Sequence, residues 1–482
     1  MNKSIFSLII TCFALAAAST TPCYAQSASN FSKKAQTAIN HMASQPNLKH
    51  ANLSICIADV STGKAIASHN PDLAVGTAST MKTVTSAAAL ELLGPNFRFN
   101  TRVYAVGKFK NGNFRGNIIV KGDGDPTLGS RHFPKMPDIT QVIADSLAAK
   151  GFKKIQGDVV PDESIYPYEP VSDWWGVDDT FWEYGTGVHA LSFSDNTIKL
   201  TFNREDSVPS NFTLTPNPGI AIDSHLSYSA NPQLCGSTTY GKYPSLMLWG
   251  TVRREKTPWT SLVANPIPAI MLCDSIKATL KANSIKFKEK HIKHRNAPDT
   301  ILIAEYQSPR LAEILNSLLL RSDNMFTDAV LKALGYRCGS AGTRTEGIKV
   351  VKTLWKRKGI DTDPLFMFDG CGLARSGKAT GRFFTQMLSQ VERDAAHIRL
   401  HLSSIMTCVG KTGKIGKLIP SSALNGKIAS KSGSMTDVLC YVGYFPADKP
   451  KYTFAVLVNN FHGSFANLQN QIDQLLISTF AE

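Results

Sequence analysis

Two Ser-x-x-Lys tetrads occur in the chain, Ser61 with Lys64 and Ser79 with Lys82. A hydroxyl and an amine three residues apart on a helix lie on one face, with Cβ atoms about 5 to 6 Å apart. Such a pair can act as nucleophile and base. Ser61 falls in Ser61-Thr62-Gly63-Lys64, a turn between two apolar alternating runs at 51–59 and 65–68, and a polar turn needs no chemistry. Ser79 opens an Ala-rich segment that reads as a helix up to the stop signal Gly94-Pro95. The chemistry is therefore expected at Ser79 and Lys82.

A base must be neutral, and a free lysine has a pKa of about 10.4. Bringing it to about 7 to 8 takes desolvation and a neighbouring cation. The amino end of the helix favours negative charge at the serine oxygen. Ser322-Asp323-Asn324, between two apolar helical stretches, reads by itself as a capping turn. Beside Ser79 and Lys82 it offers Ser322 as a proton relay to a leaving amine and Asn324 as a holder of Lys82 and of a substrate amide. Lys431-Ser432-Gly433-Ser434 supplies the cation. Gly433 lets a peptide approach the backbone, and the N–H groups of Ser79 and Ser434 make a candidate oxyanion hole.

These residues need elements to hold them. Residues 31–45 have helical spacing, and the hairpin and the Ser79 helix follow. From about 97 to 297 the chain changes to short alternating runs with many turn residues, a mostly β texture. Helical patterning returns at 308–334 and 347–358. Residues 426–432, 438–445 and 452–458 read as three successive strands before a terminal helix from about Ser464. Lys411-Thr412-Gly413 has a more literal Lys-Thr-Gly spelling, but only Lys431 is followed by two strands and a helix.

Ser-x-x-Lys, Ser-x-Asn and Lys-Ser/Thr-Gly in this order resemble the signature of serine penicillin-recognising enzymes. The stretches Ala78-Ser79-Thr80-Met81-Lys82, Gly122-Asp123-Gly124-Asp125-Pro126-Thr127-Leu128, Ala190-Leu191-Ser192, Ser322-Asp323-Asn324 and Asp369-Gly370-Cys371-Gly372-Leu373-Ala374-Arg375 resemble the class C low-molecular-mass penicillin-binding proteins, the D-Ala-D-Ala carboxypeptidase/endopeptidase family. The resemblance implies an α/β (α+β) penicillin-binding transpeptidase-like sandwich, an antiparallel sheet between helical layers. It implies a peptidase domain from 26–97 and 299–482, with 98–298 as an inserted β-rich region of one or two domains. Ser79 then attacks the penultimate D-Ala carbonyl of a peptidoglycan stem peptide, Lys82 and Ser322 move protons, and Lys431, Ser432 and Ser434 bind the terminal carboxylate. β-Lactams are the implied inhibitors, and no cofactor or metal is implied. Cys371 and Ala374 stand where the family pattern Asp-Gly-Ser-Gly-Leu-Ser-Arg has serine.

Other functions meet obstacles in the same residues. A β-lactamase of this fold keeps its first two motifs much closer than Ser79 and Ser322, and the chain shows no deacylating Glu. An esterase of the fold would be told apart by its products. A wall-binding protein has no use for intact Ser79, Lys82, Ser322 and Lys431, and a β-lactam sensor needs a membrane span to pass its signal.

Residues 1–25 carry Lys3, an apolar run from Ile5 to Ala18 and Cys23-Tyr24-Ala25 before Gln26, the order of a secretory signal. Export to the periplasm or cell envelope is the expectation, and no later stretch is apolar for the roughly 20 residues of a span. Removing the signal lowers the net charge from +15 to +14, spread along the chain. This suits some affinity for an anionic wall, and export excludes a nucleic-acid partner. It also lowers the cysteines from nine to seven, an odd number whose spacing fits no metal motif.

Overall fold

The computed structural model describes residues 29–207, 209, 211–290, 292, 299–411 and 422–481. The signal expected at 1–25 lies outside them, as do Thr412 and Gly413. The chain divides into two compact units, one of residues 1–77, 378–394 and 406–482, the other of 78–377 and 395–405.

The first unit is built on an antiparallel six-stranded sheet. Its order is Thr407–Cys408, Ala429–Met435, Val438–Phe445, Tyr452–Asn459, Asn52–Asp59, Ala65–His69. The early hairpin and the three late strands expected from the sequence thus share one sheet. Alternation along each strand separates two helical layers. Leu53, Ile55, Ile57, Phe454, Val456 and Val458 pack with Ile39 and Met42 of the 29–43 helix and with Leu468, Ile472 and Leu476 of the Phe465–Phe480 helix. On the other face Ser54 Oγ accepts from Gly381 N at 2.9 Å, and Ser389 and Thr453 share a hydrogen bond of 3.0 Å, both joining the Gly381–Arg393 helix to the sheet. Covered on both faces, the central strands are apolar almost throughout.

The second unit gathers the helices Met81–Leu93, Leu311–Arg321, Asn324–Cys338 and Arg344–Arg357 with three sheets. Asn100–Lys110, Asn113–Lys121 and Thr300–Gln307 belong to a six-stranded mixed sheet, and two sheets of three strands lie within 197–264. The region read as mostly β also contains two helices, Ile139–Ala149 and Pro268–Ala282. Their apolar stripes, Ile139, Ile143, Leu147 and Leu272, Ile276, Leu280, fill one core against the six-stranded sheet. Phe181, Leu200, Leu246 and Val263 belong to a separate core.

All seven described cysteines are free thiols. Among the described residues no helix is long and apolar enough to cross a membrane.

Candidate active site

Ser79 lies in a 3-10 turn, Ala78–Thr80, and the α-helix proper begins at Met81. The sequence reading started the helix at Ser79 itself. Lys82, three residues on, is the second residue of that α-helix and shares a face with Ser79. Entry to the turn is constrained, since Ala78 has φ +45° and the ideal Cβ of a residue at Gly372 would lie 1.9 Å from Ala78 O. Gly372, itself at φ +77°, is therefore required to be glycine where its loop passes the nucleophile.

Lys82 is fully buried. A buried amine needs partners, and Nζ has three: Ser79 Oγ at 2.9 Å, Asn324 Oδ1 at 2.5 Å and the Cys371 carbonyl at 2.8 Å. Two are carbonyl acceptors, enough for the two N–H bonds of a neutral amine. Nζ also donates to Ser79 Oγ, and once the amine is neutral its lone pair can instead take the hydroxyl proton. Burial lowers the Lys82 pKa, while Cys371, Asp369, Asp323 and Asp328 act in the opposite direction. The depression comes from desolvation, where the sequence reasoning also asked for a neighbouring cation.

Ser322-Asp323-Asn324 joins two helices, as the capping turn read from its sequence does. Ser322 takes the left-handed conformation, φ +60°, at the end of Leu311–Arg321. Asp323 caps the next helix, its Oδ1 accepting from Phe326 N at 2.9 Å. Asn324, the first residue of that helix, sends Oδ1 to Lys82, while its Nδ2 donates to the Tyr184 carbonyl at 2.8 Å. That second bond fixes which way the amide faces.

The Asp369–Arg375 loop completes the pocket around the amine. Asp369 is buried and accepts from Trp175 Nε1, Gly372 N and Ala374 N at 2.8, 2.6 and 2.7 Å. The loop is thus tied by its own carboxylate, and it meets Lys82 through the Cys371 backbone rather than through its side chain. Asp328, Asp369 and Cys371 bring three metal-ligating atoms within 4.8 Å of one another. The carboxylates are already committed, Asp369 as described and Asp328 to Arg344 and Gly370, so the trio anchors a loop and does not fit a metal site.

In the other unit, Lys431-Ser432-Gly433-Ser434 lies within Ala429–Met435, as the sequence pattern requires. Lys431 is only 2% exposed, and its Nζ donates to the Ser432 carbonyl at 2.6 Å. Ser432 and Ser434, two residues apart and so on one face, line a cavity of about 300 Å³ with Leu439, Phe465 and Gln469. Exposed Lys411 follows the two-residue strand Thr407–Cys408 in a turn. Ser61 is engaged by Asp59 of its own turn.

Sequence reasoning did not find the carbonyls of Cys371 and Tyr184 as site components, because backbone acceptors carry no residue signature. The Asp-x-x-Gly-Leu-Ala-Arg stretch was the available pointer to the first.

Residues 35–479 match the model of the D-Ala-D-Ala carboxypeptidase 3 (S13) family. A D-alanyl-D-alanine carboxypeptidase of Actinomadura sp. (strain R39) is 26% identical, the match covering 90% of this chain and 82% of that protein. The D-alanyl-D-alanine carboxypeptidase DacB of Haemophilus influenzae is 24% identical over 85% and 86% of the two chains. The crystal structure of penicillin binding protein 4 (dacB) from Haemophilus influenzae superposes with a TM-score of 0.74 at 22% identity, covering 88% of this chain and 94% of that one. The fold is therefore the penicillin-binding transpeptidase-like α/β fold that the motifs imply.

Proposed function

The chain belongs to the D-Ala-D-Ala carboxypeptidase 3 (S13) family, and from that premise we propose how its residues divide the work of a serine-type D-alanyl-D-alanine carboxypeptidase and endopeptidase. Ser79 Oγ attacks the carbonyl of the penultimate D-Ala, giving its proton to Lys82 Nζ. Ser322 relays a proton to the departing amine, which is free D-Ala or the amine of a cross-link. Water then hydrolyses the acyl-enzyme. Asn324 holds Lys82 and the substrate amide. Lys431, Ser432 and Ser434 take the terminal carboxylate, Gly433 admits the peptide backbone, and the Ser79 and Ser434 N–H groups receive the oxyanion. β-Lactams acylate the same serine.

The observation that carries this reading is the set of partners on Lys82 Nζ: two carbonyl acceptors and one serine hydroxyl around a desolvated amine. An amine held this way is a base, since burial favours its neutral form.

Peptidoglycan stem peptides are the proposed substrates, and residues 1–25 the proposed export signal to the periplasm or cell envelope. The proposed division is a peptidase domain from 26–97 and 299–482 around an insert of 98–298. A core of residues 181–271 and one of 103–285 support it, the second also taking in Ile303, Ala304 and Tyr306 from beyond the insert. The test is mass analysis of muropeptides before and after incubation with the protein. Loss of terminal D-Ala or of cross-links in the wild type, absent with Ser79→Ala, is the expected result, and unchanged muropeptides would refute the substrate.

A further inference from the structure

Asn324, Asp328 and Lys332 follow at intervals of four along the Asn324–Cys338 helix and share one face. Asn324 meets the Lys82 amine, and one turn on Asp328 has no exposed surface. Asp328 Oδ1 accepts from Gly370 N at 2.7 Å, and its Oδ2 accepts from Arg344 Nε at 2.6 Å. Gly370 O accepts from Thr85 Oγ1 at 2.7 Å, one helical turn beyond Lys82. The following carbonyl, that of Cys371, is the one that receives Lys82 Nζ. Arg344, 2% exposed, gives its other N–H groups to the carbonyls of Glu169 and Pro170 at 2.9 and 2.8 Å, and its Nη1 also lies 3.4 Å from the Glu169 carboxylate.

A buried ion pair is weak support for stability, because two desolvated charges cost about as much as their attraction returns. This one sits one residue from the carbonyl that holds the amine. Resting on the reading of Lys82 as the base, we propose that Asp328 and Arg344 are positioning residues for that base: Asp328 fixes the Gly370–Cys371 backbone against Lys82, and Arg344 supplies the counter-charge that keeps this carboxylate from holding the amine as ammonium. The acidic groups acting on Lys82 are Asp369, Asp323 and Asp328, with the Cys371 thiol. Asp369 accepts from Trp175, Gly372 and Ala374, and Asp323 caps Phe326 N, so neither bonds to Arg344. Burial pushes the Cys371 thiol far above its ordinary range, so it stays neutral. Of these groups Asp328 is the one hydrogen-bonded to a guanidinium, that of Arg344, which also faces the Glu169 carboxylate and the Lys332 amine.

The experiment is the pH profile of Ser79 acylation by a fluorescent penicillin in the wild type, Asp328→Asn, Arg344→Gln and Arg344→Lys. Asp328→Asn removes a carboxylate from near the amine and leaves Arg344 with Glu169 as its ion-pair partner, which disfavours the ammonium and moves the rising limb to lower pH by about one unit. Arg344→Gln leaves the carboxylate uncompensated and moves the limb to higher pH. Arg344→Lys keeps the charge, and hence the position of the limb, and serves if the glutamine variant does not fold. A purely structural role lowers the rate without displacing the limb in opposite directions. A limb that Asp328→Asn leaves in place, or that both neutral substitutions move the same way, overturns the inference alone. A wild-type profile with no rising limb removes the base assignment for Lys82 and this inference with it.

Discussion

Lys82 Nζ lies 2.9 Å from Ser79 Oγ, and Lys82 is wholly buried. The distance permits direct proton transfer, and the burial favours the neutral amine that a base requires. Each half of that relationship can be tested separately.

Lys82→Arg preserves the charge and removes the base, because a guanidinium does not lose its proton in any accessible pH range. Acylation by penicillin is expected to fall by about 10²- to 10⁴-fold, the usual contribution of a positioned general base. Stopped-flow or gel-based labelling rates measure it. A rate close to wild type would make Lys82 an electrostatic partner only.

The burial has a sign that two pH series can read. Desolvation lowers the Lys82 pKa in the folded protein. Acylation should therefore rise with pH as Nζ deprotonates, along a limb that lies below the range of an exposed lysine. Between the folded and unfolded pKa values the unfolded chain binds more protons at this site, so the contribution of Lys82 to stability rises with pH across that window. Lys82→Met, which removes the buried charge, should melt above the wild type on the acid side of the window, with the gap closing as pH rises. Thermal unfolding across pH decides this, and a gap that widens toward alkaline pH would contradict it.

Lys431 and Lys411 offer a choice that spelling alone would decide wrongly. Lys431 is buried within the strand Ala429–Met435, while Lys411 is exposed after a two-residue strand. Lys431→Ala is expected to slow acylation and peptide cleavage by about 2.7 to 4 kcal/mol, comparable to losing an oxyanion donor. Lys411→Ala should remain within a few-fold of wild type. Parallel acylation rates give the ranking, and the reverse order would displace the third motif.

Much of the frame is legible from local pattern. The helix stop at Gly94-Pro95, the helix joint at Ser322-Asp323-Asn324 and the three late strands follow from periodicity and turn chemistry, and the structure places each within a few residues. The helices Ile139–Ala149 and Pro268–Ala282 were hidden by the many short β runs around them. Their signals were present: Asp138 caps Thr140 N, and Pro268 stands at the first helical turn. The surroundings of Lys82 were less legible for a different reason. Two of its three partners come from 242 and 289 residues away, and one of those is a backbone carbonyl. No local pattern encodes such contacts. The pairing of Asp328 with Arg344 likewise looks in sequence like two solvated helix charges, and only packing shows them buried together.

The nucleophile is the centre of the mechanism, and peptide mapping after penicillin treatment tests it most directly. One penicilloyl adduct per chain is expected on Ser79, with none on Ser61, whose hydroxyl is engaged by Asp59. Ser79→Ala should carry no adduct while keeping the wild-type unfolding transition. Stoichiometric labelling of the folded Ala variant, at Ser61 or elsewhere, would contradict Ser79 as the nucleophile.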